Sequence, residues 1–67
     1  MIMGYDYTRL KDYHGFEIYK LYAEDYQGDM EFLGYIVADE DENINEIPVT
    51  TLKEAHRIID NERKARA

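Results

Sequence analysis

Two runs of aromatic and branched residues, separated by a polar turn, constrain this chain most. Residues 15–24 read GFEIYKLYAE and residues 30–38 read MEFLGYIVA. Neither run holds a proline, and both favour a pleated, half-buried backbone. Each reads as a β-strand. Between them, Asp25-Tyr26-Gln27-Gly28-Asp29 supplies polar turn residues and a glycine free to take positive φ. The two runs therefore predict an antiparallel hairpin. Side chains alternate between the faces of a strand. Phe16, Ile18 and Tyr22 fall on one face of the first strand, with Tyr19, Leu21 and Ala23 on the other. On the second, Met30, Phe32, Ile36 and Ala38 share a face, with Gly34 leaving a gap. Glu31, Leu33, Tyr35 and Val37 take the opposite face. Both faces of the hairpin carry apolar groups.

The C-terminal quarter has the other period. Thr51-Leu52-Lys53-Glu54 has the spacing of a capping box, and a helix is expected from there to about Lys64. Leu52, Ala55, Ile58, Ile59 and Glu62 form one stripe, apolar as far as Ile59. Arg63, Lys64 and Arg66 complement the helix dipole at its end. Upstream, residues 39–43 read DEDEN, a second turn, and residues 44–49 a short third strand. Pro48 lacks an amide donor, so this strand lies at an edge or stops there. In residues 1–12, Met3, Tyr5 and Tyr7 alternate with Gly4 and Asp6, as an extended edge segment would; a helical turn over residues 7–12 fits equally.

The expected fold class is α+β: a three-stranded antiparallel sheet packed by one C-terminal helix, in the order β-β-β-α. One small domain spans residues 1–67, with an arm at 1–12, the sheet at 15–49 and the helix at 51–64. One helix covers one sheet face. The other then carries either Phe16, Ile18, Tyr22, Phe32 and Ile36, or Tyr19, Leu21, Leu33, Tyr35 and Val37. Such a patch is too apolar for a comfortable monomer, and the arm, a second copy or a partner would cover it.

Charge limits the partners. Up to Thr50 there are twelve carboxylates against three basic side chains, Arg9, Lys11 and Lys20. Residues 51–67 reverse the balance, with five basic side chains against three acidic ones. The net charge of −7 disfavours nucleic-acid backbones and anionic lipid, and favours a basic surface. No cysteine is present, so disulfides, thiolate metal sites and thiol catalysis are excluded. A cytoplasmic location is expected. The first residues lack a basic region and a long apolar run, so no secretion signal is expected. No stretch approaches the ~20 apolar residues that span a membrane.

Tyr13-His14-Gly15-Phe16-Glu17-Ile18 opening a hairpin, with Thr51-Leu52-Lys53-Glu54-Ala55 and Ile59-Asp60 later, resembles a pattern in small phage and prophage proteins. These open with an aromatic-X-Gly-aromatic strand and close with a T-L-x-E-A helix ending in Ile-Asp. The element order is also similar to the arm-binding domains of tyrosine integrases and to plant AP2-type domains. The resemblance covers roughly residues 13–60 and implies a phage or mobile-element origin. Those DNA-binding relatives contact the major groove with arginines and aromatics of the sheet. Here the corresponding positions are Glu17, Tyr19, Leu21, Glu31, Leu33 and Tyr35, and Lys20 is the only base in the strands. The cations that give most non-specific DNA affinity are absent where they would be needed.

Chemistry-bearing constellations are few. Asp39, Asp41 and Asn43 alternate as in a calcium loop, but an EF-hand needs glycine and glutamate where Ile44 and Thr50 stand. His14 and His56 have no carboxylate partner evident in sequence, and the chain has no serine. No glycine-rich phosphate loop occurs. No enzyme activity, metal or cofactor is expected. Seven of the nine aromatics are tyrosines, a residue enriched at binding surfaces. The expectation is a small acidic interaction protein that binds a basic protein surface, in its sharpest form a DNA mimic inhibiting a host defence or DNA-binding protein. The candidate contact residues are Glu24, Asp25, Tyr26, Asp29, Asp39, Glu40, Asp41, Glu42, Tyr19 and Tyr35. The alternatives are a self-associating assembly module, including a homodimer, and an integrase-arm-like DNA-binding domain.

Overall fold

The computed structural model describes residues 2–40 and 42–67. Among these residues four strands form one antiparallel meander in chain order: β1 (Ile2–Arg9), β2 (Glu17–Asp25), β3 (Met30–Asp39) and β4 (Glu42–Asn43). One helix of the described residues, α1 (Leu52–Arg66), follows. The class is α+β as expected, but the sheet has four strands rather than three. The expected arm at 1–12 is where the extra strand arises. Its alternating tyrosines pair along β2, with Tyr5 opposite Ala23, Tyr7 opposite Leu21 and Arg9 opposite Tyr19. The register shifts between Ile2 and Gly4, leaving Met3 as the extra residue of a bulge.

Local chemistry sets the first two hairpin turns. Between β1 and β2, Tyr13 and Phe16 exchange main-chain hydrogen bonds of 3.0 and 2.9 Å around His14 (φ 51°) and Gly15 (φ 82°). Two positive φ values in a two-residue loop define a turn whose twist matches the strands. Between β2 and β3, Asp25 Oδ1 accepts from the Gln27 and Asp29 amides at 2.9 and 3.0 Å, and Gly28 takes φ 84°. That turn is the one expected.

The expected third strand at 44–49 is corrected. Regular pairing to β3 lasts only for Glu42 and Asn43, inside the stretch read as a turn. Ile44 N–H still donates to the Val37 carbonyl at 2.8 Å, and from there the Asn45 side chain takes over from the strand backbone. Its Oδ1 accepts from the Val37 amide at 2.7 Å, and its Nδ2 donates to the Tyr35 carbonyl at 3.1 Å. Pairing resumes at one bridge, where Tyr35 and Val49 exchange hydrogen bonds of 2.7 and 3.1 Å. Gly34 permits this close approach. At φ 146°, a Cβ there would lie 2.6 Å from the Val49 carbonyl oxygen and 2.7 Å from Pro48 Cβ.

The faces are also regrouped. Leu21 pairs with Gly34 but Tyr22 pairs with Phe32, so Leu33 is a bulge and the alternation of β3 slips there. Ile18 stands opposite Val37, and Tyr19 opposite Ile36. Tyr35 and Val37 therefore join the face of Phe16, Ile18, Tyr22 and Phe32. Ile36 joins that of Tyr19 and Leu21, against the expected grouping.

The helix packs on the first of these faces. Glu54 N–H donates to Thr51 Oγ1 at 3.2 Å, one of the two bonds of the expected capping box, and Arg63, Lys64 and Arg66 lie in the last turn. Ala55 and Ile59 are fully buried against Phe16, Ile18 and Val37, with Leu10, Tyr13, Tyr35, Ile44, Val49 and Ile58 around them. Leu52, the first member of the expected stripe, remains substantially exposed. The Tyr13 ring stacks on His56 at 4.0 Å and 14°, and its hydroxyl donates to Asp60 at 3.4 Å. The Arg66 guanidinium lies over the Phe16 ring at 5.1 Å. No helix among the described residues is long and apolar enough to cross a membrane.

Candidate functional site

The helix leaves one sheet face uncovered, and the β1–β2–β3 register decides what lies on it. Tyr5, Tyr7 and Arg9 of β1 stand beside Ala23, Leu21 and Tyr19 of β2, and Tyr19 and Leu21 beside Ile36 and Gly34 of β3. Leu21, Ala23, Ile36 and Ala38 form a buried floor on this face, outside the cluster under the helix. Tyr5 is 60% exposed and Tyr7 55%, so these rings stand at the surface rather than filling a core. Tyr7 meets Tyr19 edge to face at 6.3 Å. An open groove of about 240 Å³ runs beside them, lined by Tyr7, Glu17, Tyr19, Ile36, Ala38 and Asn43. Its volume is below the ~300–1,000 Å³ of small-molecule sites.

Glu17, the charged residue of the groove lining, is ion-paired. Arg9 reaches Glu17 at 3.3 Å and Asp12 at 3.0 Å. The Asp12 hydrogen bond, then the charges of Asp12 and Glu17, raise the Arg9 pKa above its ordinary value. The acidity lies elsewhere. No basic residue occurs between Lys20 and Lys53. The β2–β3 tip therefore carries Glu24, Asp25, Asp29 and Glu31, and among the described residues no Lys or Arg pairs with them. At the other end of β3, Asp39 accepts from Arg66 at 2.6 Å, and that hydrogen bond is the main reason the Arg66 pKa is raised.

The expected contact residues divide into separate places. Glu24, Asp25, Tyr26 and Asp29 gather at the β2–β3 tip. Asp25 doubles as the turn-forming acceptor, and Tyr26 is exposed. Asp39, Glu40 and Glu42 lie at the β3–β4 turn, where Glu40 takes φ 49°; Asp41 lies outside the described residues. The ten residues of β3 separate these clusters by roughly 30 Å. Tyr19 is on the open face, whereas Tyr35 is on the helix side, where its ring meets Phe32 at 5.3 Å and Phe32 meets Tyr22 at 5.5 Å. The structure adds Tyr5 and Tyr7, exposed on the same face as Tyr19, which the sequence reading did not place among the candidates. Their alternation with Gly4 and Asp6 was the available signal. Among the described residues, no three His, Asp or Glu side chains gather as metal ligands would.

Comparison of the chain with protein families, with curated proteins and with solved structures found no match in any of the three.

Proposed function

We propose that this protein is a small non-enzymatic interaction module that binds a basic protein partner. The tyrosine face of the sheet makes the contact, and the acidic β2–β3 tip provides the attraction. The observation that carries this reading is the pair of exposed rings, Tyr5 and Tyr7, beside Tyr19 on the face the helix leaves open. Tyrosine suits a surface that must be wet when free and apolar when bound. A chain at −7 steers toward cations, and such steering weakens with salt. The resemblance to small phage proteins makes a host protein met by a mobile element the proposed kind of partner. A nucleic-acid-mimic form of this reading would need one basic groove long enough to span both acidic turns.

The test is affinity capture from the cells in which the protein occurs, at about 50 mM and about 500 mM salt. The wild type and a Tyr5→Thr/Tyr7→Thr double variant, which keeps β-favouring residues in β1, are run side by side. A basic protein held at low salt, and lost both at high salt and with the double variant, is the expected result. Capture that is indifferent to salt and to both tyrosines would sink the reading.

A further inference from the structure

β1 is the outer strand of the sheet, and its far side is bare among the described residues. The ladder phase shows which groups are bare. Leu10 N–H donates to the Ile18 carbonyl at 2.8 Å, so the even residues Leu10, Thr8 and Asp6 direct their main chain toward β2. Tyr5, Tyr7 and Arg9 direct their N–H and C=O groups outward. Long exposed edges are usually blunted by proline, an outward lysine or a covering loop. β1 runs eight residues without proline or lysine; its charged side chains are Asp6 and Arg9, and its one register shift against β2 falls at Met3, near its start.

We infer that β1 is a docking edge for an extended segment of a basic partner, which adds as a fifth strand. The inference rests on the proposed reading of the protein as a binder of basic partners, and it specifies the mode. Edge addition takes affinity from main-chain hydrogen bonds and specificity from alternate side chains. On the open face the added strand lies beside Tyr5 and Tyr7 and presents apolar or aromatic residues. On the helix side it lies beside Asp6, with Glu24 across from Gly4, and presents Lys or Arg. Lys20 sits across from Thr8, so the cations belong at the end nearer the acidic tip. Charge complementarity selects this occupant over a second copy, which would bring a further −7 to the same edge.

The probe is a synthetic peptide of roughly eight residues, the length of β1, alternating lysine with valine or tyrosine. Amide exchange and chemical shifts of the intact protein report the site. The expected result is binding that slows exchange at Tyr5, Tyr7 and Arg9. A peptide N-methylated at alternate amides should bind at least about tenfold more weakly, and so should the Tyr7→Pro variant. That proline removes an outward N–H and leaves the β2 ladder intact. The methylated peptide decides the question if the variant fails to fold. Equal binding of the methylated peptide overturns edge addition while leaving a basic partner in place. Equal binding of a peptide with glutamate for lysine overturns both. If light scattering shows a dimer that Tyr7→Pro dissociates, a second copy occupies the edge and the proposal fails.

Discussion

Asn45 Oδ1 accepts the main-chain N–H of Val37 at 2.7 Å, while Asn45 Nδ2 donates to the Tyr35 carbonyl at 3.1 Å. One carboxamide thus takes the place of a peptide unit along the edge of β3, just past the last main-chain bond, from Ile44 N–H to the Val37 carbonyl at 2.8 Å. Val37 is fully buried, so its amide has no water to fall back on. Asn45→Ala should destabilise the fold by about 1–3 kcal/mol, the cost of a buried unsatisfied donor. Urea denaturation measures it. A change under about 0.5 kcal/mol would mean that the backbone recloses on β3 without the side chain.

Gly34 and Gly28 both have positive φ, but only Gly34 is crowded. Gly28→Ala should cost roughly 1–2 kcal/mol, from the left-handed backbone alone. Gly34→Ala adds overlap with the Val49 carbonyl and Pro48 Cβ, and should cost distinctly more. The order of the two melting temperatures is the check, and equal losses would contradict the contact.

Tyr13 ties the β1–β2 turn to the helix through its stack on His56. A double-mutant cycle of Tyr13→Leu and His56→Ala should give a coupling of about 0.5–1.5 kcal/mol. Tyr13→Phe keeps the stack and loses only the long hydrogen bond to Asp60, so its cost should stay near 0.5 kcal/mol. Additive single effects would show that the rings are neighbours without mutual stabilisation.

Salt should stabilise the folded protein. The net charge is −7, the β2–β3 tip carries four carboxylates without basic partners among the described residues, and the ion pairs all involve substantially exposed arginines. Screening therefore relieves more repulsion than it removes attraction. The melting temperature should rise between about 10 and 500 mM sodium chloride. A fall would show that the Arg9 and Arg66 pairs outweigh the repulsion.

The sequence by itself determined the features whose causes are local. The β2–β3 hairpin, the positive φ of Gly28, the Thr51 cap and the buried stripe of Ala55 and Ile59 depend on residues a few positions apart. The alternation of Met3, Tyr5 and Tyr7 was legible too, but whether that segment paired depended on β2 being free to receive it. Tertiary structure decided the rest. The bulge at Leu33 exchanges the faces of Tyr35, Val37 and Ile36, and it is permitted by a glycine that Pro48 and Val49 approach from fourteen and fifteen residues away in the chain. The expected acidic and tyrosine contacts likewise divided once β3 set their positions, with carboxylates at its two ends and Tyr19 and Tyr35 on opposite faces. Because side chains alternate with a period of two, a single inserted residue reverses a face. Composition carries no record of that insertion; the long-range contact at Gly34 does.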